Sequence, residues 1–123
     1  MKILTIIARS LLGLTFVVFG LNAFLHFIPM PPPQGLAGDF MKALFVSHYF
    51  YVVAVLQIAG GAICLLGRFV PLGLTLLGPV IVNILLFHIF LEPTGLPMAV
   101  VVSALALFLL WSYRKAFSGL MKP

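Results

Sequence analysis

Apolar residues run along this chain in four long blocks, and the polar ones gather in the gaps between them. The first block extends from about Ser10 to Ile28, or from Ile3 if Arg9 reaches out to an interface. The second runs from about Tyr49 to Gly67, the third from Leu72 to Leu91 and the fourth from Leu96 to Tyr113. Each is close to the roughly 20 residues that cross a hydrocarbon layer at about 1.5 Å of rise per residue. Helices are the open-chain answer there, because every backbone group must find its partner inside the segment. The gaps carry the breakers this requires: Pro29 to Gly38, then Gly67-Arg68 with Pro71, then Glu92-Pro93-Thr94-Gly95. The pattern predicts an all-α membrane protein, a four-transmembrane-helix bundle, with residues 1–123 as a single domain.

Composition agrees with the pattern. Of 123 residues, 63% are hydrophobic and 7% charged, where a soluble domain carries about 25% charged residues to cover its surface. The net charge of +5 reflects scarce acids, Asp39 and Glu92 alone, and no basic run. A clustered basic face for nucleic acid is therefore missing. Placement of Lys and Arg sets the expected orientation: Lys2, Arg9, Arg68, Arg114, Lys115 and Lys122 fall on one side, against Lys42 on the other. Both termini are expected to be cytoplasmic, with the first and third loops outside. Trp111 and Tyr113 beside Arg114-Lys115 read as the inner aromatic anchor, and His48 to Tyr51 as the outer one. Arg9 early in the first block, with no small-residue cleavage site after it, argues against a removable leader.

Within the loops, Pro29, Pro31, Pro32 and Pro33 predict a helix stop and an extended exit. Asp39 is placed to cap a short helix over Phe40 to Phe45, whose Phe40, Met41, Leu44 and Phe45 would face the bundle from an interfacial position. An internal repeat is visible as well. Leu-Gly-Leu-Thr opens at Leu12 and again at Leu72, and each copy is followed by an apolar run, an Asn, a His and a Pro.

Polar side chains inside membrane helices are costly and mark packing or function. His26, His48, His88 and Glu92 lie near the outer boundary, and Asn22, Gln57 and Asn83 lie one to two turns deeper. Thr15, Asn22 and His26 share one helix face by spacing, with Gly13 and Gly20 opposite. Asn83 and His88 are five apart and share a cavity only if Pro79 distorts their helix, whereas His88 and Glu92 are four apart and do share a face. Gln57, Gly60, Gly61 and Cys64, and on the last helix Ala99, Ser103 and Ala106, read as packing faces. The lone Cys64 excludes an intramolecular disulfide.

Three stretches carry a family resemblance: Arg9 to Pro33, Gly67 to Leu91, and Leu107 to Phe117. With its Asn-x-x-x-His and Asn-x-x-x-x-His patterns, the chain resembles the DoxX-type membrane proteins, which are similar to the DoxD subunits of thiosulfate:quinone oxidoreductases. The resemblance implies a four-helix bundle in a bacterial inner membrane and a link to redox assembly. Relatives tied to thiol chemistry work through paired cysteines, which Cys64 lacks.

Three functions stay open on these residues. A redox-linked accessory would hold a quinone or similar small carrier, with Asn22, His26, Asn83 and His88 as its ligand residues. A non-catalytic subunit would use the same polar layer to fix helix register and join a redox or membrane partner, or a second copy as a homodimer. A metal or haem site would draw on His26, His48, His88 and Glu92.

Overall fold

The computed structural model of the chain describes residues 2–27 and 34–121. These form six α-helices: α1 (Lys2–Leu25), α2 (Gly35–Val46), α3 (Tyr49–Leu66), α4 (Val70–Phe90), α5 (Leu96–Ser112) and α6 (Arg114–Phe117). Two 3-10 turns, Pro93–Gly95 and Ser118–Met121, complete the described elements. α1, α3, α4, and α5 with the turn before it are each long and apolar enough to cross a membrane. α1 packs against α3 and α5, and α4 packs against the same two helices. The four thus form a closed ring, with Leu12, Phe16, Cys64, Leu77, Val102 and Leu109 in its core.

The outside of this ring is as apolar as its inside. Leu11, Leu14, Val55, Val101 and Leu107 are all exposed on it. A protein facing water rarely presents a continuous apolar belt of this kind. One end of the bundle holds Arg9, Arg68, Arg114 and Lys115, and the other holds α2, His26, His48 and His88. They are called the basic end and the histidine end below.

Glycines set the tightest helix contacts. On α3, Gly61 faces Gly13 of α1, where an added Cβ would lie 2.8 Å from the Gly13 carbonyl oxygen. The adjacent Gly60 faces α4, and a Cβ on Gly73 there would lie 3.0 Å from the Gly60 carbonyl oxygen. Small residues allow such backbone-to-backbone approach in apolar surroundings, where packing rather than water drives association. The inner half of the sequence repeat has a physical meaning here: Gly13 and Gly73 each seat a helix on α3. Thr15 and Thr75 also match, each donating its hydroxyl to the carbonyl four residues back, at 2.7 and 2.8 Å.

Helix limits depart from the apolar blocks at several points. α1 starts at Lys2 and ends at Leu25, short of Ile28, and His26 follows in the left-handed region with φ 51°. α4 starts at Val70, two residues before Leu72, because Pro71 fits a first turn that has no need of its N–H. It runs unbroken through Pro79. α2 covers twelve residues rather than Phe40 to Phe45, and Asp39 lies inside it instead of capping it. Its anchor is the buried Ala37, joined by a Phe40–Phe87 ring contact at 5.7 Å and a Phe45–Phe50 contact at 4.6 Å. α2 therefore lies over the ends of α3 and α4, as a short helix roofing the bundle. The expected extended exit through Pro29 and Pro31 to Pro33 falls outside the described residues.

Gly61→Ala forces a Cβ against the α1 backbone and is expected to destabilise the bundle by about 1–3 kcal/mol. Gly78 on α4 has nothing within 4 Å of its would-be Cβ, so Gly78→Ala is expected to be neutral or to stabilise by up to about 1 kcal/mol. Unfolding midpoints in mixed detergent micelles check both.

Candidate functional site

At the histidine end, the expected pairing of Asn22 with His26 divides. Asn22 sits in the last turn of α1 and is buried, 6% exposed. His26 lies past the end of the helix and is exposed. A main-chain bond still joins them, His26 N–H to the Asn22 carbonyl at 2.9 Å. Their side chains separate because the turn into left-handed backbone swings His26 off the helical face. The other buried amide is Gln57 on α3, 7% exposed. Gln57 belongs to the glycine-lined side of α3, and its Cβ lies 3.3 Å from where a side chain on Gly20 of α1 would begin. Gln57 thus lies between α1 and α3, and Asn22 is buried on α1 two residues beyond Gly20. Among the described residues, no fully buried side-chain nitrogen or oxygen lacks a hydrogen-bond partner.

Asn83 does not join them. It is exposed on the outer side of α4, and its Nδ2 donates to the Pro79 carbonyl at 2.8 Å. The sequence repeat misleads here for a geometric reason. Asn22 follows Leu12 by ten residues and Asn83 follows Leu72 by eleven. One extra residue turns the side chain by about 100° around a helix of 3.6 residues per turn. The first amide faces inward and the second outward.

His88, in the last turn of α4, is committed to the loop that follows. Its Nδ1 lies 3.0 Å from the Glu92 carbonyl oxygen, an acceptor, so Nδ1 carries the proton and donates. The ring fills the space over Gly95, where a Cβ would collide with Cε1, and meets Phe87 edge-on at 5.2 Å. The four-residue spacing of His88 and Glu92 is realised, but through main chain rather than carboxylate. The Glu92 carboxylate accepts instead from the Thr94 hydroxyl at 2.7 Å. His48 begins α3 in left-handed backbone, exposed, with its ring stacked on Tyr51 at 5.8 Å. Among the described residues, no three His, Cys, Asp or Glu side chains come together to hold a metal ion. His26, His48, His88 and Glu92 thus share an end of the bundle without converging.

The basic end holds a device that spacing did not foretell. Arg9, expected only to mark orientation, turns its guanidinium across to the last turn of α3. Its Nη1 donates to the Cys64 and Leu65 carbonyls, both at 3.0 Å. Those are orphan acceptors of a helix C-terminus, where the macrodipole also favours a cation. Gly67 makes room for it: φ is +73°, and a Cβ there would lie 2.7 Å from the Arg9 guanidinium carbon. The available signals were an arginine deep in an apolar helix and a glycine just past another, 58 positions apart. Nearby, Arg114 lies 4.1 Å over the Trp111 ring and donates to its carbonyl at 2.8 Å. An open recess of about 450 Å³ lined by Ser112 to Ala116 lies at this same end, across the bundle from the buried amides.

Among the described residues, no hydrogen bond joins a nucleophile to a histidine base and no two acids are paired. The arrangement offers two buried amides, two exposed histidines, His26 and His48, and charged groups tied to helix ends. Arg9→Ala removes two charge-assisted bonds and is expected to cost about 1.5–3 kcal/mol. Gly67→Ala should cost at least as much, since it both strains the backbone and displaces Arg9. Unfolding midpoints in mixed micelles compare the two, and Arg9→Lys should fall between wild type and Arg9→Ala.

Compared with known proteins, the chain matches no family model, no curated protein and no solved structure.

Proposed function

We propose that the chain is an integral membrane protein of the DoxX-like kind, an accessory to a redox partner rather than an enzyme on its own. The observation that carries this reading is how its polar side chains are engaged. Arg9 caps α3, His88 closes the Glu92 turn, Asn83 bonds its own helix and Thr94 occupies the Glu92 carboxylate. Groups bound into a scaffold in this way support helix register and assembly better than turnover. The apolar belt around four long helices supports insertion in a bilayer. The six-to-one distribution of Lys and Arg supports cytoplasmic termini in a bacterial inner membrane.

A second reading rests on Asn22 and Gln57. Two amides buried in adjacent helices near the histidine end can donate to the carbonyl oxygens of a quinone or similar carrier lodged in an apolar wall. His26 is exposed at the same end of the bundle.

Two experiments test these readings. In a Cys64→Ala background, Lys42→Cys should react with a membrane-impermeant maleimide on intact spheroplasts, and Lys122→Cys only after permeabilisation. The reverse result overturns the orientation, and release of the protein without detergent overturns the membrane reading. Solvent extraction of the purified protein then asks for bound quinone. A near-stoichiometric quinone that is lost in Asn22→Leu and Gln57→Leu, with helicity retained, supports the second reading, and its absence removes that reading. Quinone reduction by the purified chain alone, given an electron donor, would overturn the accessory role.

A further inference from the structure

The outward face of α4 differs from every other outer face of the bundle. Leu72, Thr75, Pro79, Asn83, Leu86 and Phe90 recur on it every three or four residues, and all are exposed. Beyond Lys2 and Tyr49, the first residues of α1 and α3, the exposed positions in α1, α3 and α5 are apolar among the described residues. On α4 two are polar. Thr75 is satisfied, since its hydroxyl donates to the Pro71 carbonyl. Asn83 is satisfied only in part. One N–H of its amide goes to the Pro79 carbonyl at 2.8 Å. The second N–H and the Oδ1 acceptor have no partner among the described residues. Asn83 lies seven residues inside the end of α4, or about 10 Å along the axis, within the apolar belt. Hydrocarbon offers a half-paired amide nothing to bond to.

We propose that this face binds a second copy of the chain across a two-fold axis normal to the membrane, with the two Asn83 amides bonding to each other. Symmetry selects that occupant. Copies inserted with the same topology keep each residue at its own depth, so a two-fold axis beside α4 brings Asn83 to Asn83 of the partner copy. A carboxamide has both donor and acceptor, so it is its own complement, as an isologous contact requires. Lipid supplies neither group, and an unrelated helix would need a matching amide at the same depth. The inference rests on the four helices crossing a membrane and is independent of the redox reading.

The test uses the full chain in lipid nanodiscs. Mass measurement should find two copies per disc, and Asn83→Leu should give one copy with unchanged helicity. In a Cys64→Ala background, Asn83→Cys should cross-link between copies on mild oxidation, while Val101→Cys, on the outer face of α5, should not. A wild type with one copy per disc overturns the proposal. So does a pair that survives Asn83→Leu, equal cross-linking of Asn83→Cys and Val101→Cys, or a different protein found on the α4 face in place of the second copy. Cross-linking in membranes does not require the leucine variant to fold, so either arm decides alone. Failure of the pair with maleimide topology intact would leave the membrane reading standing.

Discussion

Two adjacent glycines on α3 hold the bundle together, because they let α3 meet a different neighbour on each side at backbone distance. Gly61 meets the α1 backbone at Gly13, and Gly60 meets the α4 backbone at Gly73. Side chains at these points would hold the helices apart, and their absence lets the backbones pack closely. Other features depend on that closeness. Arg9 reaches the Cys64 and Leu65 carbonyls because α1 lies so near α3 there. Gly67 extends the same logic past the helix end, where even a methyl group would meet the guanidinium.

The four long apolar helices were legible because length and apolar composition of this kind mark a segment able to cross a hydrocarbon layer. The packing faces on α3 were legible for a related reason: glycines spaced along an apolar helix have little other use. The ends were less so. α1 stops at Leu25 because His26 adopts left-handed backbone, a choice no apolar pattern encodes. The candidate site was read least well, and the cause is rotational. Asn22 and Asn83 looked equivalent because each follows Leu-Gly-Leu-Thr in an apolar run. In a segment apolar on all sides, no amphipathic stripe reports which way a given residue faces. A one-residue difference in spacing then decides between interior and exterior.

The two ends of the bundle are built differently. At the basic end, charged groups close helix termini: Arg9 on α3, and Arg114 on the last turn of α5. At the histidine end, turns depend on His26 and His48 in left-handed backbone, and on aromatic contacts such as Phe24–Tyr51 at 5.2 Å and Phe40–Phe87. The basic end shares one such residue, Phe69 with φ 58° before α4. The buried amides lie toward the histidine end. α2 lies over this end, held by the buried Ala37 and by ring contacts of Phe40 and Phe45.

The placement of polar groups also separates holding the fold from recognising something outside it. An amide turned inward, such as Asn22 or Gln57, can be explained by the bundle alone, because helix packing gives it a reason to exist. An amide turned outward has no such internal reason, since replacing Asn83 by leucine would leave every interhelical contact of the ring in place. Its bond to the Pro79 carbonyl does not change this, because that carbonyl already lies within reach of the helix's own N–H ladder. The cost of keeping an outward amide in an apolar belt is offset only by a partner outside the chain. For this protein, the outer surface of α4 therefore says more about assembly than its interior says about chemistry.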